Sequence, residues 1–126
     1  MSHWTKCKTE ITDLEVLKKA AKVLGVEVLG RNKQYNSHYD STFYDAHVVL
    51  SYENGTAAII KKKNGTYEMM VDNYHNPITQ KLGNDCTLLG REYSKLLVEQ
   101  QAMMMGGMVT QSRLMDNGTI QMQITL

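Results

Sequence analysis

Arg31, Lys33, Tyr35, His38, Tyr39 and Tyr44 crowd into one short polar stretch of the chain. Guanidinium and ammonium groups suit phosphate, and phenol and imidazole rings stack on bases, so this mixture points to a nucleotide-like anion. The stretch Arg31–Thr42 has no apolar periodicity and reads as a loop or an irregular edge, where binding specificity is commonly housed. The plainer alternative is a solvated loop whose tyrosines lie down on a sheet.

A second cluster, Asn73-Tyr74-His75-Asn76-Pro77, has the same composition and holds the only proline. If the two segments meet, within the chain or across a symmetric protomer contact, Tyr74 and His75 complete a polar, aromatic-lined pocket. An ordinary turn is the competing reading. Lys61-Lys62-Lys63 resembles a phosphate patch, but strand alternation separates Lys62 from its neighbours, and edge-strand lysines that discourage aggregation explain them more simply. Met103-Met104-Met105, with Met69, Met70, Met108, Met115 and Met122, suits irregular core gaps or an adaptable oligomer contact, and the latter is expected at the end of a long helix.

Catalytic signals are missing. The chain has no Gly-rich phosphate loop, no His-Glu-x-x-His and no Gly-x-Ser-x-Gly elbow. Asp40, Asp45, Asp72, Glu68 and Glu92 show no spacing that selects a dyad, and His47 reads as a half-buried strand histidine more readily than as a base. The four histidines His3, His38, His47 and His75 are scattered, and Cys7 and Cys86 lie far apart. No metal site, cofactor or disulfide is expected from that pattern.

The chain behind these residues has 126 positions, 14 Lys/Arg against 13 Asp/Glu, and a net charge of +1. One α+β domain spanning 1–126 is expected, with no global attraction to duplex nucleic acid or anionic lipid. No run is long and apolar enough for a membrane span, and Met1–Cys7 lacks a signal-peptide core, so a cytoplasmic location is expected, a host's cytoplasm if the source is viral.

The sequence signals a loose strand over His3–Ile11, then a helix over Thr12–Leu24. Thr12 and Glu15 form a capping box, Ile11 and Val16 a hydrophobic staple, and Gly25 a stop. Val26–Gly30 reads as a strand. Phe43–Tyr52, Thr56–Lys63 and Thr66–Asn73 read as an antiparallel meander turning at Asn54-Gly55 and Asn64-Gly65. Its buried face is expected to carry Ala46, Val48, Leu50, Ala58, Ile60, Tyr67, Met69 and Val71, opposite a polar face with His47, Ser51, Lys61, Glu68 and Asp72. Tyr74–Asn84 reads as a loop and Asp85–Met105 as a helix with Leu89, Tyr93, Leu96, Leu97, Gln100 and Met104 on one side. Met108–Met115 and Thr119–Leu126 close the chain as a hairpin across Asn117-Gly118. Two helices packed on one face of a largely antiparallel sheet bury these faces economically. The three Asn-Gly-Thr triplets at 54, 64 and 117 are read as turns, not glycosylation acceptors.

Met1-Ser2-His3-Trp4, the capped segment Thr12–Leu24, Asp45–Val49, Gly65–Asp72, Arg91–Tyr93 and Asp116–Ile120 together resemble the hypothetical chloroplast reading frame 35 family of plastids and cyanobacteria. The resemblance runs nearly end to end in short motifs. Arg31–Phe43 and Asn73–Pro77 depart from the family's Gly-Tyr-x-Gly segment and its Trp-rich loop. The family has no settled activity, so the resemblance implies a fold and leaves an accessory, protein-interaction module as one functional expectation. The expectation the residues favour is a non-enzymatic binder of a small anionic ligand, acting as a homo-oligomer. A cyclic (di)nucleotide signal sequestered in viral counter-defence fits on grounds of size and composition.

Overall fold

The computed structural model describes residues 4–6, 10–36, 43–72, 76–114 and 120–125. Five antiparallel strands form the main sheet: β1 (Trp4–Lys6), β2 (Glu27–Leu29), β5 (Val48–Tyr52), β6 (Gly55–Lys61) and β7 (Tyr67–Asp72), in the order β1-β7-β6-β5-β2. Two hairpins stand outside it, one of β3 (Asn32–Tyr35) with β4 (Tyr44–Ala46), the other of β8 (Met108–Leu114) with β9 (Ile120–Thr125). Helices α1 (Leu14–Val23) and α3 (Thr87–Met104) pack on one sheet face with the short α2 (Ile78–Leu82). The fold is α+β, as expected.

The core lies on the helix side. Val16, Leu17, Ala20 and Ala21 of α1 meet Val48, Leu50, Ala57, Ile59, Met69 and Val71 of the sheet and Leu89 and Tyr93 of α3. Both long helices stop on a glycine. The amides of Gly25 and Val26 donate to the carbonyls of Lys22 and Ala21 at 3.0 Å each, and Gly25 takes the positive φ (82°) that this two-bond stop requires. At the end of α3, Gly106 (φ 79°) and Gly107 repeat it, donating to Met103 and Ala102 at 3.0 and 2.8 Å.

The start of α1 departs from the capping box. Asp13, not Thr12, is the N-cap, and its Oδ1 accepts from the Val16 amide at 3.1 Å. Glu15 instead accepts from the ammonium of Lys18 at 3.1 Å. The reason lies in α3: the buried Tyr93 phenol oxygen accepts from the amides of Thr12 (3.0 Å) and Asp13 (3.1 Å) and sits 3.4 Å from Thr12 Oγ1. Thr12 is thereby held outside the helix, which begins one residue later. Ile11 and Val16 are both buried in the common core.

The meander also differs in register. The run Phe43–Tyr52 breaks at His47 into β4 and β5, which belong to different sheets. Along β6 the residues facing the helices are Ala57 and Ile59, while Ala58 and Ile60 face away and join Ala46, Val49 and Tyr35 in a second, smaller cluster beneath the β3–β4 hairpin. Both faces of the central strand are therefore covered, and its apolar run carries no alternation to fix the side. The lysines at its end do not guard an edge, because β6 is the middle strand; Lys61 ends it and Lys62 and Lys63 lie exposed in the following turn. That turn is closed by the Lys62 amide on the Thr66 carbonyl at 2.7 Å. Within Tyr74–Asn84, expected as loop, the structure forms α2, and the expected start of the last helix at Asp85 is a separate short helical turn over Asn84–Cys86. The strand residues expected beyond Leu114 and before Ile120, with the Asn117-Gly118 turn, lie outside the described residues.

Candidate functional site

Arg31 leads into β3, and its partner strand β4 carries Asp45. Pairing of Asn32 with Ala46 brings the two side chains together across the hairpin. Arg31 Nε donates to Asp45 Oδ1 at 3.0 Å and Nη2 to Oδ2 at 2.6 Å, a forked ion pair with both side chains about half exposed. The hydrogen bonds from Arg31 hold the Asp45 carboxyl below its ordinary range; desolvation opposes them, and the charge of Arg31, with smaller effects from His47 and Lys33, adds to the lowering. The same bond raises Arg31 above its usual value. Arg31 and Asp45 thus form one ion pair on an exposed hairpin.

Tyr35 faces the other way. It is buried against Ala46, Val49 and Ala58, and its hydroxyl bonds Thr56 Oγ1 at 2.8 Å. Burial raises its pKa; the Thr56 bond opposes this and the charge of Asp72 reinforces it. Across the pair, Tyr44 is half-buried opposite Tyr35. Lys33 is exposed. The ring expected for stacking at position 35 is therefore a wedge between hairpin and sheet, a correction that follows from the strand geometry of a segment read as loop.

His38, Tyr39, Tyr74 and His75 lie outside the described residues. The described residues on either side, Tyr35 and Asn76, share an anchor. Thr56 takes the Tyr35 hydroxyl through its side chain, and its carbonyl accepts from Asn76 Nδ2 at 3.0 Å. Asn76 Oδ1 in turn accepts from the Ile78 amide at 3.2 Å, opening α2. Asn76, Pro77 and Ile78 press so closely over Gly55 that a Cβ there would collide with all three. The roots of the two candidate loops are tied to one residue of the central strand.

Sequence reasoning missed Asp45 as part of this site, missed Thr56, and named Asn76 only as a member of the Asn73–Pro77 cluster. Asp45 was visible only as one carboxylate among several; nothing local pairs it with Arg31 before the hairpin is known. His47, between β4 and β5, donates its amide to Ile59 at 2.8 Å, and its ring meets that of Tyr67 edge-on at 6.0 Å, with Nδ1 buried and lacking a hydrogen-bond partner. Among the described residues no three His, Cys, Asp or Glu side chains are grouped to hold a metal ion, and no helix is long and apolar enough to cross a membrane. Cys86 is buried. No family model, curated protein or solved structure matches the chain.

Proposed function

We propose that this protein is a non-enzymatic binder of a small anionic, nucleotide-like ligand, received at the outer face of the β3–β4 hairpin and the adjoining loops. The observation that carries the reading is the solvent-exposed fork that Arg31 makes with the carboxylate of Asp45. An incoming phosphate can take the place of that carboxylate on the Arg31 fork, because both groups present paired oxygens to a planar guanidinium. Lys33, exposed beside it, supplies the second charge. His38, Tyr39, Tyr74 and His75 are the residues proposed to close over the base, Tyr35 serving instead to fix the hairpin. Sequestration of a cyclic (di)nucleotide signal in viral counter-defence is the specific form proposed. The test is a thermal-shift screen against mono-, di- and cyclic nucleotides, followed by calorimetry on Arg31→Gln and Lys33→Glu. Loss of binding in both variants is expected; no shift with any nucleotide at millimolar concentration overturns the reading.

A second reading, an accessory interaction module of the kind the family resemblance implies, is favoured by one observation. Met103, Met104 and Met105 are 75, 80 and 63% exposed at the end of α3, a cluster of flexible apolar side chains that suits a protein contact. Recovery of a stoichiometric protein partner with no retained small molecule distinguishes it from the first.

A further inference from the structure

The two edges of the main sheet are blunted in the ways that keep sheets from pairing with one another. β2 is three residues long and carries Glu27, and the described part of β1 carries Lys6. In the β8–β9 hairpin, β8 carries Arg113 but β9 has neither protection. The hairpin's strands are seven and six residues long, and among the described residues neither pairs with the main sheet. β9 reads Ile-Gln-Met-Gln-Ile-Thr, without a charge.

The composition around it is equally one-sided. Of 14 Lys/Arg and 13 Asp/Glu residues, only Arg113 and Asp116 lie beyond Glu99, whereas Met103, Met104, Met105, Met108, Met115 and Met122, out of nine methionines, all do. Depletion of charge with enrichment of methionine is the mark of the buried centre of a protein interface. A lone two-stranded hairpin is also marginal in water, and three or more strands are needed for a stable sheet. Here α3 packs against both strands but no third strand of the described chain completes them.

We propose that β9 pairs antiparallel with β9 of a second copy of this chain, making a four-stranded sheet across a two-fold axis. The proposal deepens the interaction reading by naming its partner. A neutral strand meets its own copy with no like-charge repulsion, and the alternation of β9 selects the register. Residues directly opposite in an antiparallel pair share a face, so apolar positions must oppose apolar ones. With the axis at Met122, Ile120 opposes Ile124 of the second copy, Met122 opposes itself, and Gln121 opposes Gln123. A charged or hydrophobically mismatched partner strand has no such register. The exposed methionines at the end of α3 lie next in sequence to β8.

Sedimentation velocity at tens of micromolar is expected to give twice the 14.3 kDa protomer mass. Gln121→Lys/Gln123→Lys places like charges opposite one another and is expected to sediment as a monomer with an unchanged far-UV CD spectrum. Gln121→Glu/Gln123→Glu is expected to do the same, and mixing the two variants is expected to restore the dimer. Met122→Cys provides a separate readout. Facing Cα atoms in an antiparallel pair are about 4.5–5.5 Å apart, inside the roughly 4.4–6.8 Å that a disulfide spans. Mild oxidation should therefore cross-link that variant, and the added lysines should abolish the cross-link. A monomeric wild type, a lysine variant that stays dimeric, or oppositely charged variants that fail to reassociate each overturn the proposal. A monomer that instead captures a different protein defeats it while leaving the interaction reading standing.

Discussion

Replacing Tyr93 by Phe removes one oxygen and keeps the ring, so it opens no cavity in the core. That oxygen accepts from two main-chain amides, Thr12 at 3.0 Å and Asp13 at 3.1 Å, and so ties α3 to the entry to α1. A buried donor stripped of its partner costs ~1–3 kcal/mol. Thr12 is exposed and Asp13 half-buried, so water recovers part of the loss and the lower end applies, about 2 kcal/mol for the pair. For a domain of this size that corresponds to a fall of about 8 °C in Tm. Urea unfolding followed by CD measures it directly: the midpoint should fall with an unchanged slope, since the denatured state is untouched. Asp13→Ala supplies the comparison, removing the cap on the Val16 amide at about 1 kcal/mol. Because both groups hold the same turn, the double variant should lose less than the two single losses together. A Tyr93→Phe protein within about 0.5 kcal/mol of wild type, the ordinary range for inconsequential substitutions, refutes the view that the phenol sets where α1 begins.

Asp45 offers a test of the ion pair. Its carboxyl is held below the ordinary range chiefly by the hydrogen bonds from Arg31, so a carbon-detected NMR titration should place it below the other exposed carboxylates and return it toward them in Arg31→Gln. Its depressed pKa means that the contribution is present at neutral pH and lost as pH falls through the folded value; with the pair open to solvent, the change in unfolding midpoint should be small. Gly55→Ala should cost about 1–3 kcal/mol by overpacking, read as a lower urea midpoint, since the added methyl meets Asn76, Pro77 and Ile78. A neutral outcome there means that the Asn76 turn does not sit down on β6.

The elements whose ends are marked by backbone chemistry were the legible ones. Gly25 and Gly106-Gly107 stop helices because a left-handed residue is needed where each helix turns back, and the glycines occupy those positions. The Asn54-Gly55 signal found a real hairpin but the wrong two residues. Tyr52 pairs with Gly55, the turn is Glu53-Asn54, and Glu53 carries the positive φ. Gly55 is a glycine because another segment lies on top of it, and a pattern of local residues cannot announce a neighbour twenty positions away. The face of β6 failed for a related reason. Ala57, Ala58, Ile59 and Ile60 give no alternation, so a one-residue slip costs nothing in the pattern while reversing every contact. At the site, Arg31 and Lys33 were visible as charges, yet the pairing of Arg31 with Asp45 and the burial of Tyr35 follow from a hairpin that a polar, aperiodic stretch does not advertise.

The uneven thickness of the two layers bears on where a binding function can reside. On the helix side, large side chains from all three helices and four strands interlock, and Tyr93 stitches the helices to one another. On the other side, Tyr35, Ala46, Val49 and Ala58 with half-buried Ile60 make up the whole described cluster, and three of those are an alanine or a valine. Little apolar area holds the β3–β4 hairpin down, so its own fastening, the Tyr35–Thr56 bond, has a large share in placing it. Residues on its outer face can change without disturbing the core, since the cluster beneath the hairpin is separate from the helix-side one. A thin, separately fastened layer over a rigid sheet is the arrangement in which ligand contacts can vary at small cost in stability. Arg31, Lys33 and Asp45 stand on that outer layer, whereas Cys86 and Tyr93, chemically capable side chains elsewhere in the chain, are sealed within the thick one.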